Sequence, residues 1–190
     1  GIEEGSVHKA RDQVRLHVGL IFPDMYEVGM SYLGQKILYS IINERPHWQA
    51  ERVFTPCREA GAVLRSHKTP LCTLESDTPL DRLDVLGFSV THELCYSNIL
   101  YVLDLAGIPL RTKDRRLARP DGRPWPLVVA GGGCTLAAEP LAPFVDVMTL
   151  GEAEAALPEL LEQVEQAGTK GLTREELLLA LSRIPGLYIP

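Results

Sequence analysis

Leu16-His17-Val18-Gly19-Leu20-Ile21-Phe22-Pro23-Asp24 is the stretch on which the fold turns. The apolar run from Leu16 to Phe22 is short enough for a buried strand, and Pro23 stops it. From Ser31 the apolar residues Leu33, Ile37, Leu38, Ile41 and Ile42 recur at helical spacing, with Pro46 placed after the helix should end. A strand followed by an amphipathic helix is the first repeat of a pattern.

The pattern continues along the chain. Arg52 to Phe54 reads as a short second strand before a helix from Arg58 to about His67. Asp84 to Val90 reads as a third strand before an almost wholly apolar helix from Glu93 to Ala106, ended by Gly107-Ile108-Pro109. Leu127 to Ala130 is a fourth strand running into Gly131-Gly132-Gly133. Val145 to Leu150 is a fifth, followed by a helix with an acidic start at Glu152 and Glu154 and an expected stop at Gly168. Thr173-Arg174-Glu175-Glu176 has the capping-box pattern and opens a last helix. Repeated strand-then-helix units imply a parallel sheet with right-handed crossovers and helices on both faces. Ligands of such sheets bind beyond the carboxyl ends of the strands, which directs attention to the loops found there.

The loop after the first strand holds Asp24, Met25, Tyr26, Gly29 and Ser31; it is too long for a phosphate turn, and neither G-x-G-x-x-G nor a P-loop lysine occurs. After the third strand, Ser89, Thr91, His92 and Glu93 bring a hydroxyl, an imidazole and a carboxylate to a helix start. They read either as caps or as ligand-contacting groups. Gly131, Gly132 and Gly133 after the fourth strand read as a tight turn or as bare backbone against a flat ligand. Gly151 and Glu152 after the fifth read as a helix cap or a ligand-contacting edge.

Composition narrows the class. The chain has 190 residues, 45% hydrophobic and 23% charged, as in one globular domain with short extensions. No apolar run is long enough for a membrane span, and the polar start resembles no signal peptide, so the expected location is cytoplasmic. Cys57, Cys72, Cys95 and Cys134 are too scattered for a disulfide framework or zinc ribbon, and no metal site is expected. A net charge of −6 argues against a whole-surface nucleic-acid binder. Arg111, Lys113, Arg115, Arg116, Arg119 and Arg123 nonetheless crowd one segment, readable as a solvated loop or as a docking patch for RNA or a partner.

Taken together, Val18-Gly19-Leu20-Ile21-Phe22-Pro23-Asp24-Met25-Tyr26-Glu27-Val28-Gly29-Met30-Ser31, Asp84-Val85-Leu86-Gly87-Phe88-Ser89, Val128-Val129-Ala130-Gly131-Gly132 and Gly151-Glu152-Ala153-Glu154 resemble a family pattern. It is that of the N-terminal, cobalamin-binding-like domain of radical S-adenosylmethionine (radical SAM) proteins, and the resemblance runs from about Gln13 to Pro190. It implies an α/β, flavodoxin-like three-layer sandwich with a five-stranded parallel sheet in the order 2-1-3-4-5. The implied division is an N-terminal extension at 1–14, the α/β domain at 15–168, and at 169–190 a C-terminal helix and linker toward a radical SAM domain.

The resemblance also implies a cofactor-binding or accessory role, with cobalamin or substrate positioned against a downstream catalytic barrel. The 4Fe-4S cluster and S-adenosylmethionine would belong to that barrel, because no C-x-x-x-C-x-x-C occurs here. None of His8, His17, His47, His67 or His92 sits in the D-x-H-x-x-G pattern that supplies an axial imidazole. Cobalamin would therefore be held by loop backbone and apolar contacts. The expected ligand-facing residues are Asp24, Met25, Tyr26, Gly29, Ser31, Ser89, Thr91, His92, Gly131, Gly132, Gly133, Gly151 and Glu152, none of them catalytic. Two alternatives stand beside this: a structural interaction module without cofactor, and a stand-alone flavodoxin-like enzyme using His92 and Glu93. Gly1 at the start and the end at Pro190 fit a piece of a longer chain.

Overall fold

The computed structural model describes residues 5–190. Strand β1 (Leu16–Phe22) leads through the single-turn helix α1 (Tyr26–Gly29) into α2 (Leu33–Asn43). There follow β2 (Trp48–Phe54), α3 (Arg58–Ser66), β3 (Val85–Ser89), α4 (Tyr96–Leu105), the short α5 (Thr112–Arg115), β4 (Leu127–Gly131), β5 (Val147–Thr149), α6 (Ala153–Lys170), α7 (Arg174–Leu181) and β6 (Leu187–Tyr188). The sheet order is β2-β1-β3-β4-β5-β6. Strands β1 to β5 run parallel and β6 pairs antiparallel with β5.

Side-chain alternation along the strands builds two cores, one on each face. Leu16, Val18 and Leu20 of β1 pack with Ile42 of α2 and Leu160 and Leu161 of α6. Ile21, on the opposite face, joins Leu86 and Phe88 of β3, Val128 of β4 and Ile99 and Leu103 of α4. Each such aliphatic or aromatic side chain contributes about 1.5–3 kcal/mol by leaving water. Helix α3 lies close on α4 because Gly61 has no side chain. A Cβ there would stand 1.7 Å from Tyr101 Oη.

The five-stranded expectation is corrected to six strands. The segment Leu187 to Pro190 reads as a mere link, yet Leu187–Tyr188 pairs with Thr149 and Met148 at the sheet edge. Gly186, at φ +83°, makes the turn, and its carbonyl accepts from the Leu150 N–H at 2.7 Å. Two residues carry no periodicity, so only the turn could have signalled the strand. Strand β2 starts at Trp48, earlier than the expected Arg52, because its buried polar residues find partners. Gln49 Nε2 donates to the Val7 carbonyl at 2.7 Å, and His17 Nε2 lies 3.0 Å from Glu51 Oε1. The helix expected to stop at Gly168 runs on to Lys170 and ends at Gly171, which takes the left-handed conformation at φ +66°. The packing of Val164 and the buried Ala167, next to Gly168, carries the helix through it. At Thr173 the capping box forms as its sequence pattern predicts.

The basic segment is not a free cationic patch. Arg115 is fully buried beside Asp146, and Arg174 reaches the same Asp146 Oδ2 at 2.7 Å. Arg119 pairs with Asp81 and Asp121 and lies over the Trp125 ring, and Arg123 pairs with Asp121. Arg115 and Arg119 are thus spent inside the fold and Arg123 is paired at the surface, while Arg111, Lys113 and Arg116 stay exposed; an RNA contact finds no support. Among the described residues no helix is long and apolar enough to cross a membrane.

Candidate functional site

Parallel register determines what faces the space above the carboxyl half of the sheet. Leu20 pairs with Gly87, Gly87 with Val129, and Val129 with Val147, so these side-chain positions share the face that carries α2 and α6. Two residues further along, Ser89 pairs with Gly131, and Gly131 lies beside Thr149, whose Oγ1 is 2.4 Å from where a Cβ on Gly131 would sit. Two glycines thus fall in adjacent rows of a surface elsewhere filled by branched side chains. The missing atoms leave a cleft of about 340 Å³ between α2 and α6.

Tyr32, Gly34 and Leu38 wall the cleft on the α2 side; Glu152, Ala153, Glu154 and Leu157 wall it at the start of α6. Gly133 and Leu136 close the carboxyl end. The floor is flat because Gly87 presents bare backbone: a Cβ there would meet nothing nearer than Leu20 Cδ2 at 3.7 Å. At Gly132 the need for glycine is steric and conformational at once, with φ at +120° and the Val90 carbonyl oxygen 2.6 Å from where a Cβ would sit. Glu152 caps α6 without a side-chain hydrogen bond, and with Glu154 it puts acidic groups at the rim, where the helix dipole favours them. A mainly apolar slot with acidic groups at its mouth suits a flat, uncharged ring system better than a phosphate.

Of the residues singled out from sequence, Ser89, Gly131, Gly132, Gly133, Gly151 and Glu152 line this cleft. The others lie elsewhere. Asp24, Met25 and Tyr26 border shallower depressions beside the end of β2, with Thr55 and Cys57. Gly29 is buried against the Phe22 ring, 2.5 Å from a Cβ position, and serves packing. Ser31 is exposed at the entry to α2, outside the cleft lining. Thr91 and His92 stand near Cys95: the imidazole nitrogens are 3.4 and 3.5 Å from the Cys95 sulfur, and burial pushes that thiol's pKa up. The Thr91 carbonyl accepts from the Cys134 thiol at 3.2 Å. Among the described residues no group of three or more histidine, cysteine or acidic side chains is placed to hold a metal ion.

Sequence reasoning missed Gly87, Thr149, Leu136 and the α2 wall. Gly87 did carry a signal, since a glycine inside a buried strand marks close backbone approach. The walls carried none, because the helices meet the sheet only in three dimensions.

Beyond the cleft, the carboxyl edge of the sheet is apolar. Met25, Val28, Met30 and Leu33 after β1, Leu94 after β3, Leu136 after β4 and Leu150 after β5 are all exposed, Leu94 by 84% and Leu136 by 80%. Exposed apolar side chains gathered on one edge mark a surface that something covers.

Comparison with known proteins agrees with this architecture. Two solved structures of the radical S-adenosylmethionine methyltransferase TsrM from Kitasatospora setae share the fold. One has cobalamin and a [4Fe-4S] cluster bound: TM-score 0.54, 17% identity, covering 93% of this chain and 29% of that one. The other has tryptophan substrate and the S-adenosylmethionine analogue aza-SAM bound: TM-score 0.53, 16% identity, covering 91% and 28%. The chain therefore spans less than a third of either neighbour. No curated protein matches it. The family model for the N-terminal region of radical SAM proteins matches residues 34–190. With most of its length inside that match and a sheet that shares its architecture with TsrM, the chain belongs to the radical SAM proteins as their N-terminal domain.

Proposed function

We propose that this domain binds cobalamin and positions it against a catalytic domain that follows in the same chain. The observation that carries this is the glycine-floored cleft opening onto an apolar carboxyl edge. A corrin ring is too broad for a cleft of about 340 Å³, but the planar base of cobalamin's nucleotide tail suits its flat floor. Leu94, Leu136 and Leu150, exposed beyond the carboxyl ends of the strands, would hold the rest of the cofactor by apolar contact. Bound cobalamin supplies a cobalt centre for group or electron transfer. The residues of this chain would bind, orient and shield it.

The fit rests on this structure's own features: bare backbone at Gly87, Gly131 and Gly133, aliphatic walls at Leu38 and Leu157, and no cationic side chain in the lining that would call for an anion. An enzyme acting through His92 and Glu93 is not favoured, since both side chains are exposed and outside the cleft. Equilibrium dialysis of the full-length natural protein against hydroxocobalamin, read by absorbance of the released dicyano form, tests the proposal. Near one cobalamin per chain is expected. No retention at ligand concentrations far above the protein's defeats it and leaves a docking module.

A further inference from the structure

Helix α6 lays a row of apolar side chains on the sheet, in which Leu157 and Leu161 are buried and the half-buried Val164 packs against the same core. The next position on that face is Gly168. Glycine inside a helix is less stable than alanine, and the packing does not ask for it here. Among the described residues no atom of another element lies within 4 Å of where a Cβ on Gly168 would sit. Nor does Gly168 end the helix, because the left-handed cap is Gly171.

The bare backbone opens onto a groove at the amino edge of the sheet, on the side away from the glycine-floored cleft. Its deeper part, about 210 Å³, is walled by Trp125, Val164, Leu172 and Leu177, all of which keep accessible surface. A second part of about 310 Å³ runs on past Arg15 and Thr169. Asp84, Val164 and Gly168 border both parts, so a side chain on Gly168 would stand where the two meet.

Asp84 supplies the charge. Its Oδ2 accepts the His17 N–H at 2.7 Å, and among the described residues no lysine or arginine pairs with it. Burial raises its pKa. Arg15, Arg123 and Arg174, which border the groove, are turned instead to Glu165, Asp121 and Asp146. The C-terminal end of the 18-residue α6, which carries partial negative charge, lies alongside. A carboxylate without a partner beside a helix C-terminus favours a cation.

We propose that this groove binds an organic primary amine, with its ammonium group on Asp84 and its apolar body across the bare backbone of Gly168, against Trp125 and Leu177. The site is separate from the cofactor cleft and does not depend on that reading.

The test is isothermal titration calorimetry of the full-length natural protein with 2-phenylethylamine, and with 2-phenylethanol and phenylacetate as neutral and anionic counterparts. The amine should bind at least about tenfold more tightly than either, the value of one charge-assisted hydrogen bond. Asp84→Asn should erase that preference and leave 2-phenylethanol as in wild type. Gly168→Leu should bind none of the three, and Gly168→Ala should melt about 1–4 °C higher than wild type. Equal or tighter binding of the alcohol or the acid by wild type overturns the proposal, as does no binding of the amine. A preference kept in Asp84→Asn, amine binding kept in Gly168→Leu, or a lower melting temperature for Gly168→Ala, which would mean that the glycine serves the fold, overturns it equally. Cobalamin retention should be the same in all three variants.

Discussion

Replacing Gly87 separates what the cleft does from what the fold needs. A Cβ at this position would lie 3.7 Å from Leu20 Cδ2 and 3.8 Å from the Gly19 carbonyl, ordinary contact distances, and the backbone is not in a region reserved for glycine. Gly87→Ala should therefore leave the fold intact, and by restricting the unfolded chain should add about 0.4–1 kcal/mol of stability. Binding should respond in the opposite direction. The new carbon raises the cleft floor by about one bond length, roughly 1.5 Å. A ring resting at the usual carbon–carbon separation of about 3.5–4.0 Å would be pushed well inside contact distance. Overpacking of this kind costs about 1–3 kcal/mol, or about 5–150-fold in Kd, and Gly87→Val should abolish measurable binding. Equilibrium dialysis against cobalamin reads the affinity, and a thermal melt of the cofactor-free protein reads the fold. If Gly87→Val binds cobalamin as wild type does while melting normally, the cleft is not the cofactor site. If Gly87→Ala melts several degrees lower, the description of the floor as empty is wrong.

Asp146, just before β5 and outside the cleft lining, accepts from Arg115, Arg174 and the Val128 N–H. Asp146→Ala leaves the buried Arg115 guanidinium and the partly buried Arg174 without their carboxylate and should cost about 3–5 kcal/mol, or about 6–20 °C in a melt, with cofactor affinity in the folded protein unchanged; a drop under about 3 °C refutes the assignment. Although burial alone would raise the Glu51 pKa, hydrogen bonds with His17, Thr73 and Ser76 hold that carboxyl below its ordinary 4.5. A depressed folded-state pKa means stability that is present above 4.5 and lost as pH falls through the lower folded value. Melting temperatures of wild type and Glu51→Gln should therefore differ most near neutrality and converge in acid, and a gap that widens below pH 4.5 would contradict this sign. Thr173→Ala removes the capping box that opens α7 and should cost about 1 kcal/mol, or about 2–4 °C, with no effect at the cleft. Gly132→Ala meets the Val90 carbonyl and a positive φ together, and should lower both stability and cofactor retention; a variant that matches wild type in both would refute the strained turn.

Much of this molecule is legible from residue order alone. The apolar run at Leu16 to Phe22, the helical spacing after Ser31 and the capping box at Thr173 are local patterns, and they form β1, α2 and α7 because local periodicity decides which surface can be buried. The glycines after β4 likewise announce a place where backbone is left bare. Other features required the third dimension. Strand β6 consists of two residues whose pairing depends on β5 being alongside, and α6 passes Gly168 because Val164 and Ala167 beside it are already docked. The basic segment looked like a surface until folding brought Asp146 and Asp81 to its arginines. Most of all, the cleft exists only where Gly87, Gly131 and Thr149 come side by side from three strands far apart in the chain. Sequence determined which residues lack side chains. Parallel register, set by long-range pairing, decided that the gaps would line up, since strand partners are chosen by tertiary packing and leave no trace in local periodicity.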